Sequence, residues 1–200
     1  GAIGHDLKTP LAALRVRIES VGDDRQRSRM AESIEDINHT LDDILSLARI
    51  GRNAQAPERT NITALAQSVV DEFDDLGEPV ELTDAPRIVG AIHVTWVKRA
   101  LRNLISNAVR YGGGAEVSLS DDDGAAVIVI QDNGPGIPDD RLAAMLEPFA
   151  RGEASRNRST GGAGLGLTLA RAIADQHGGS LTLSNRTSGG LRAELRLPLS

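Results

Sequence analysis

Apolar residues recur along the first part of the chain with the spacing of two amphipathic helices. In the first stripe, steps of three or four residues pass through Ile3, Leu7, Leu11, Leu14, Ile18 and Val21. The turn-forming residues Gly22-Asp23-Asp24 follow, and a second stripe passes through Met30, Ile34, Ile37, Leu41, Ile44 and Leu47 or Ala48. The pattern predicts two helices joined by a short loop, which is a helical hairpin.

Each predicted helix has a single narrow apolar seam. Two such helices alone bury too little surface to be stable. Dimerisation into a four-helix bundle supplies the missing surface, and docking onto the rest of the chain is the alternative that the pattern leaves open. We therefore expect a homodimer formed through the hairpin.

Beyond the hairpin the pattern changes to mixed α and β, after a polar segment at 51–59 that predicts a linker. Broad apolar faces predict helices at Thr63–Leu76, His93–Tyr111 and Leu165–His177. Short apolar runs predict strands at Val80–Leu82, Ile88-Val89, Glu116–Leu119, Ala126–Ile130, Ser180–Ser184 and Leu191–Leu197. We expect an α+β fold with helices on one face of a largely antiparallel or mixed sheet, divided into a hairpin domain (1–51), a linker (52–59) and a second domain (60–200).

Composition and charge narrow the possible functions. The net charge of −6 disfavours direct binding of nucleic acid, because the chain lacks a basic footprint. The absence of cysteine excludes disulfides and thiolate metal sites, and it fits a reducing compartment such as the cytoplasm. No apolar run reaches the roughly 18 residues that a membrane-spanning helix needs.

The first candidate site is the stretch His5-Asp6-Leu7-Lys8-Thr9-Pro10 in the first predicted helix. Imidazole is a nucleophile at neutral pH, and an adjacent carboxylate can accept its proton, which is the role that Asp6 suits. Thr9 lies one helical turn beyond His5, where its hydroxyl can orient a water molecule. An isolated His-Asp pair is more often an inactive, exposed helix start, so the assignment depends on the other motifs.

A second candidate site lies on the predicted helix His93–Tyr111. Asn103 and Asn107 are four residues apart and share one face, opposite the apolar side. Amide oxygens suit Mg²⁺, which keeps waters and substrate phosphates as its other ligands, and Arg110 follows as a phosphate partner. Taken alone, two helical asparagines are more often surface residues.

The third candidate is the loop Asp132-Asn133-Gly134-Pro135-Gly136-Ile137-Pro138, directly after a predicted buried strand. Its glycines let the loop approach a flat ligand, and a carboxylate at a strand end can accept a hydrogen bond from an exocyclic amine. A plain turn uses the same residue types, so the loop alone is ambiguous.

The fourth candidate is the glycine-rich segment 161–167, which opens a helix. Successive backbone N–H groups at a helix N-terminus bind phosphate oxygens. No Lys-Ser/Thr pair follows, as a Walker A loop requires, and no parallel βαβ unit surrounds the segment, as a dinucleotide fingerprint requires. The polar stretch 151–160 before it has the composition of a lid.

These motifs, in this order, resemble those of the bacterial sensor histidine kinase family. HDLKTP at His5 resembles the family's H box, LRNLISNAVRYG its N box and DNGPGIP its G1 box. EPFARG resembles the F box, and GGAGLGL the G2 box. The resemblance implies a dimerisation and phosphotransfer hairpin that forms a dimeric four-helix bundle, followed by an ATP-binding domain of the Bergerat (GHKL) type. That domain is an α/β sandwich shared with gyrase, Hsp90 and MutL.

The resemblance also implies an activity and its residues. ATP phosphorylates His5 with Asp6 as acid/base partner, the phosphoryl group passes to an aspartate in the receiver domain of a response regulator, and Thr9 supports phosphatase activity toward that regulator. Asn107 is implied as the Mg²⁺ ligand and Asn103 as its companion at the phosphates. Asp132 is implied to recognise the adenine amine and Phe149 to hold the lid hinge. The other implied nucleotide-binding residues are Arg110, Tyr111, Gly134, Gly136, Ile137, Gly162, Gly164, Leu165, Gly166 and Leu167.

Two departures from the family pattern and two rival functions remain. Only Gly1–Gly4 precede His5, where the family's helix extends further, so altered dimer packing is expected. In the G2 box, Ala163 stands where the family frequently has Thr or Ser.

A nucleotide-binding pseudo-enzyme is disfavoured by the intact motif residues. An ATP-driven clamp is disfavoured because the N box helix lacks a glutamate to activate water. The resemblance places this fragment in the cytoplasm and implies that upstream segments anchor the full-length protein in the bacterial inner membrane.

Overall fold

The computed structural model describes residues 2–50, 56–83, 85–150 and 164–199, with side chains from residue 9 onward. Its first elements are the helices α1 (Ala2–Ile18) and α2 (Asp24–Leu47), which pack against each other as a hairpin. Asp23 caps α2, because its Oδ1 accepts hydrogen bonds from the backbone N–H groups of Arg25 and Gln26. The predicted hairpin is confirmed, although α1 ends at Ile18 and does not reach Val21.

In the part of the hairpin whose side chains are described, few apolar residues form a core. Leu11, Ile18 and Ile34 are buried between α1 and α2, with Leu41 packed against them. Several other members of the predicted stripes stay exposed on the hairpin surface, and these are Leu14, Met30, Ile37 and Ile44. The hairpin therefore leaves apolar surface uncovered, as the narrow stripes predict.

The remainder of the chain is an α/β sandwich. Its sheet has five strands in the order β2-β4-β5-β7-β6: β2 (Val80–Leu82), β4 (Ala115–Asp122), β5 (Ala125–Gln131), β7 (Leu191–Pro198) and β6 (Ser180–Asn185). β2 runs parallel to β4 and the other pairs are antiparallel, which confirms the predicted mixed sheet. The helices α3 (Ile62–Asp74), α4 (Val94–Gly112) and α5 (Gly166–Gln176) pack on it, within two residues of their predicted bounds.

Successive side chains of a strand point to opposite faces of the sheet, and the helices cover the face that carries the core residues. In β5 the residues Ala126, Ile128 and Ile130 belong to the same core as the buried faces of α3, α4 and α5. On the opposite face, Val127 and Val129 pair with Arg196 and Glu194, whose long side chains partly cover them. The core therefore lies between the sheet and the helices, and it sets α4 and α5 side by side.

The structure also contains a short two-stranded ribbon, one strand of which the sequence did not predict. β1 (Glu58–Asn61) pairs antiparallel with β3 (Val89–Ile92), so Glu58 and Arg59 belong to a strand although the sequence predicted a linker there. β3 also begins at Val89, one residue later than predicted. The sequence ERTN has no apolar alternation, so only its pairing with β3 makes it a strand. Among the described residues, no helix is long and apolar enough to span a membrane.

Two histidines join the start of α4 to the end of α5. The backbone N–H of His93, the N-cap residue of α4, donates to Nε2 of His177 at 3.0 Å, and the two rings lie edge to face at 5.2 Å. The other ring nitrogen of His177, Nδ1, lies 2.7 Å from the carbonyl oxygen of Ile173. These partners require the neutral ring with its proton on Nδ1.

Acidification should therefore weaken this junction. Burial of the imidazole, opposed in part by its hydrogen bond to Ile173, lowers the pKa of His177. The unfolded chain binds this proton at higher pH, so the stability from the junction is complete above about 6.5 and is lost as the pH falls through the folded pKa. Losing one backbone hydrogen bond, about 1 kcal/mol, should lower the melting temperature by roughly 2–4 °C in scans below that range.

The control for this pH effect is His177→Gln. A glutamine accepts a hydrogen bond without titrating, so its melting temperature should fall less on acidification than that of the unchanged protein. Equal falls in both proteins would show that the junction does not cause the effect.

Candidate functional site

A cleft of about 1280 Å³ opens between α4, the start of α5, the loop after β5 and one face of α2. Most of the residues that the sequence motifs single out line it. They are Asn103, Asn107, Arg110, Tyr111, Asp132, Gly136, Ile137, Gly164, Leu165, Gly166 and Leu167. The structure thus brings the N box, G1 and G2 motifs to one place, although they are separated along the chain.

The two asparagines of α4 face the cleft because the opposite side of this helix packs in the core. Leu101, Leu104 and Ile105 are buried against the sheet. Asn103 Nδ2 lies 3.4 Å from the carbonyl oxygen of Gly166, where α5 begins. A Cβ atom on Gly166 would touch the side chains of both asparagines, which shows how closely the two motifs approach.

The start of α5 lines the cleft and has no side-chain cap. Leu165, its N-cap residue, supplies no side-chain acceptor to the first N–H groups. Gly164, just before it, has φ +71°, and a Cβ atom there would lie 2.4 Å from the carbonyl oxygen of Ala150. Free N–H groups at a helix N-terminus attract anions such as phosphate.

Asp132 is held at the other end of the cleft. It is only 7% exposed, and its Oδ1 accepts hydrogen bonds from the N–H groups of Gly134 at 2.8 Å and Leu191 at 3.1 Å. Both bonds use the same oxygen, so Oδ2 keeps its capacity to accept from a ligand. Gly112 packs directly on this side chain, since a Cβ atom there would lie 2.4 Å from Asp132 Cβ. Gly112 is the last residue of the N box motif but was not among the predicted site residues.

Other predicted residues lie beside the cleft or outside the described part of the chain. Phe149 is 66% exposed and does not line the cleft, although its backbone adjoins Gly164. Gly134 contacts the backbone of Tyr111 behind the cleft wall. Gly162 and the lid stretch 151–160 lie outside the described residues, as do the side chains of His5 and Asp6.

The predicted phosphoacceptor region lies on α1. The backbone of His5 and Asp6 belongs to this helix, and Thr9 is exposed one turn further on. Pro10, next to Thr9, lies inside the same helix. Among the described residues, those of the hairpin that line the cleft all belong to α2.

Acidic residues of α2 complete the cleft wall. The carboxylate of Asp43 lies 3.1 Å from Nη2 of Arg99, and the side chain of Asn103 is close enough to lower the pKa of this carboxyl slightly. Asp36 lies 3.8 Å from Nη2 of Arg110. Burial raises the pKa of the Asp43 carboxyl and outweighs the opposing effect of Arg99. Neither acid was predicted from the sequence, where their only signal is a seven-residue spacing that places them on one helix face.

Two family models match the chain. The model of the "Histidine kinase-, DNA gyrase B-, and HSP90-like ATPase" matches residues 92–200, which hold the five-stranded sheet from β4 onward and the cleft motifs. The model of the "His Kinase A (phospho-acceptor) domain" matches residues 1–53, which hold the hairpin.

Relatives and solved structures agree with these matches. The sensor histidine kinase GtrS of Pseudomonas aeruginosa is 34% identical over 203 residues, which cover 98% of this chain and 41% of GtrS. The ATP-binding domain of PrrB from Mycobacterium tuberculosis superposes with a TM-score of 0.61 at 27% identity, covering 73% of this chain and 99% of that domain. Full-length ShkA in complex with AMPPNP shares the fold, with a TM-score of 0.73 at 23% identity over 100% of this chain and 45% of ShkA. The chain thus spans less than half the length of GtrS.

Proposed function

Because the chain belongs to the sensor histidine kinase family, we propose that it transfers the γ-phosphoryl group of ATP to His5 and then to an aspartate of a response regulator. The proposal is supported by one observation in particular. Two asparagines, a buried carboxylate and a glycine-rich helix start converge on one cleft, in a chain whose first helix bears the predicted acceptor histidine.

Asp132 would recognise the adenine base. Its Oδ1 is already occupied by two backbone N–H groups, so Oδ2 would accept a hydrogen bond from the exocyclic amine. The apolar residues Ile137 and Leu191 line the same end of the cleft and would contact the faces of the ring. This end of the cleft therefore suits a flat base with an amine at its edge.

The opposite end suits the triphosphate. The N–H groups at the start of α5, together with Asn103 and Arg110, would hold phosphate oxygens. The amide oxygen of Asn107 is a hard, neutral donor, which fits one ligand position of Mg²⁺. When bound, Mg²⁺ neutralises charge on the phosphates during transfer.

The chemical step would take place on the hairpin. A ring nitrogen of His5 forms a bond to the γ-phosphorus as the bond to the β–γ bridging oxygen breaks and ADP leaves. Asp6 accepts the proton from the other ring nitrogen. In the second step the phosphoryl group moves from His5 to a carboxylate of the regulator. We further propose that Thr9 orients the water that later removes it.

Dimerisation through the hairpin belongs to the same proposal. Only three apolar side chains are buried among the hairpin residues from 9 onward, while Leu14, Met30 and Ile37 are each about half exposed. A second hairpin would cover these residues and make a four-helix bundle. The match to the phospho-acceptor domain over residues 1–53 supports this arrangement.

The test of the proposed function is the chemistry of the product. The purified chain, given Mg²⁺ and ATP labelled at the γ-phosphate, should acquire label that acid removes and base does not, as expected for a phosphoramidate. The labelled chain should then transfer the label to a cognate receiver domain. Label that survives acid, or no label at all on the full-length protein, would reject the proposal.

The contact of Asp43 with α4 should compete with nucleotide binding. Its carboxylate engages Arg99 and Asn103 at the wall of the cleft that would receive the triphosphate, so it occupies these groups and repels phosphate. We expect Asp43→Asn to tighten ATP binding by roughly 3–10-fold, the effect of removing one nearby negative charge at an intermediate effective dielectric. Isothermal titration with ATP and Mg²⁺ measures this.

Glu35→Gln is the matched control for Asp43→Asn. Glu35 lies on the same helix, and its replacement by glutamine causes the same change in net charge. Glu35 pairs with Arg15 on α1 and does not line the cleft. Its affinity for ATP should remain that of the unchanged protein. Equal tightening in both variants would indicate a general charge effect and contradict the competition.

A further inference from the structure

The loop that carries Asp132 rests on a part of the chain that no sequence motif marks. This G1 loop, residues 132–139, packs against the end of β6 and the turn that follows it. The two residues in contact are Asn185, the last residue of β6, and Arg186, the first residue of the turn. Both lie about 50 positions from the loop in sequence, at separations of 46 to 54 residues.

Asn185 pairs with the loop as a neighbouring strand would. Its Oδ1 accepts from the N–H of Ile137 at 2.9 Å, and its Nδ2 donates to the carbonyl oxygen of the same residue at 2.7 Å. Nδ2 also donates to the carboxylate of Asp139 at 2.7 Å. All hydrogen-bonding groups of this amide are therefore engaged with the loop.

The approach of Asn185 depends on Gly136. Gly136 has φ +71°, and a Cβ atom on it would lie 2.6 Å from Asn185 Oδ1. Only glycine gives both the backbone turn and the space for the amide. Ile137, which follows, lines the cleft. The amide thus fixes the backbone of a residue that faces the ligand.

Arg186 holds the other end of the loop. Its Nη1 donates to the carbonyl oxygen of Asp132 at 2.7 Å and to Oδ1 of Asn133 at 2.9 Å. The same turn delivers the N–H of Leu191 to the Asp132 carboxylate at 3.1 Å. The backbone and the side chain of Asp132 are therefore both oriented from the segment that begins at Asn185.

From these contacts we propose that Asn185 and Arg186 are positioning residues that shape the base end of the cleft. This inference rests on the proposed function and deepens it. They hold Asp132 and Ile137 at opposite ends of the G1 loop, and they lie outside the cleft lining. Their loss weakens binding of the adenine portion of ATP. It leaves the phosphate end and the chemical step unchanged, because Asn103, Asn107 and the start of α5 are held by other contacts.

The first variant is Asn185→Asp, which keeps the shape and the acceptor but loses both donations and opposes the Asp139 carboxylate. The Kd for ATP with Mg²⁺ should rise roughly 5–30-fold, as expected for one or two lost hydrogen bonds. The affinity for inorganic triphosphate should stay within about twofold, since that ligand has no base. The rate of His5 phosphorylation at saturating ATP should also stay within about twofold, because KM alone carries the effect.

Ser184→Ala is the matched control, since Ser184 is the exposed neighbour of Asn185 on β6, and it should leave all three values unchanged. A second measurement is the pair exchange Asn185→Asp with Asp139→Asn, which restores a donor opposite an acceptor. We expect it to recover about threefold of the lost affinity, a gain that general destabilisation does not produce. Arg186→Lys, which keeps the charge but loses the two-pronged contact, should weaken ATP binding in the same selective way.

The outcomes separate this inference from the function it rests on. If the unchanged protein binds no ATP, the proposed function itself fails. If the unchanged protein binds ATP and Asn185→Asp binds it equally well, only the positioning role fails. An equal loss of affinity for ATP and triphosphate, or no recovery in the exchanged pair, would also overturn the positioning role. Melting curves show whether each variant folds. If Asn185→Asp does not fold, the affinities of Arg186→Lys for ATP and triphosphate test the positioning role instead.

Discussion

Replacement of His5 by glutamine should abolish phosphorylation of the chain and leave ATP binding intact. Glutamine is polar and helix-compatible but has no nucleophilic nitrogen, so α1 (Ala2–Ile18) is retained while the acceptor is lost. The variant leaves unchanged the described residues that line the cleft, among them Asn107 and Asp132. We expect incorporation of label to fall at least about 10³-fold and the Kd for ATP to change less than about twofold.

The measurement combines labelled ATP with a separate titration of nucleotide binding. His39→Gln is the control for the label alone, because it removes another imidazole from the hairpin without touching the H box, although His39 lines the cleft. This variant should keep its label. Label retained on the His5 variant would show that another residue accepts the phosphoryl group, and it would reject the central assignment. Loss of ATP binding in the same variant would show that the substitution damages the fold and not only the chemistry.

The elements that could be predicted from the sequence are those whose residues carry the signal locally. α4 follows its predicted bounds because its apolar residues repeat at helical spacing, and Gly113 with φ +74° ends it. β5 was expected because Val127–Ile130 are four successive β-branched residues with a strong strand propensity. β1 was missed because the residues Glu58–Asn61 are polar and become a strand only by pairing with β3. Such pairing depends on partners distant in sequence.

The candidate site divides in the same way. Asn103, Asn107 and Asp132 were predicted because residue type and local spacing made them candidates, and the resemblance of the ordered motifs to the family's motifs then selected them. Asp43 and Asn185 were not, because an acidic residue on a helix and an asparagine at a strand end are common and carry no signal by themselves. Their importance comes from contacts 46 to 60 positions away in sequence, with Asp139 for Asn185 and with Asn103 for Asp43. Only the fold brings these residues together.

Replacement of Asp132 by asparagine should remove most of the affinity for ATP without unfolding the domain. The substitution is isosteric, and the retained oxygen still accepts hydrogen bonds from Gly134 and Leu191. The new amide nitrogen takes the position of Oδ2 and presents a donor to the donor amine of adenine. Losing one hydrogen bond to a charged group, about 1.5–3 kcal/mol, corresponds to a rise in Kd of roughly 10–150-fold.

The same substitution should also change which base is preferred, and this is its sharper test. A 6-oxopurine such as that of inosine triphosphate presents an acceptor where adenine presents an amine, so the amide nitrogen of Asp132→Asn can donate to it. The ratio of ATP affinity to inosine triphosphate affinity should therefore fall by at least about tenfold. Asp140→Asn is the control, because this exposed carboxylate in the 3₁₀ turn Asp139–Arg141 does not line the cleft. The two hydrogen bonds to the retained oxygen keep the side chain of Asp132→Asn in place. An unchanged ratio of ATP affinity to inosine triphosphate affinity would therefore mean that another group recognises the base.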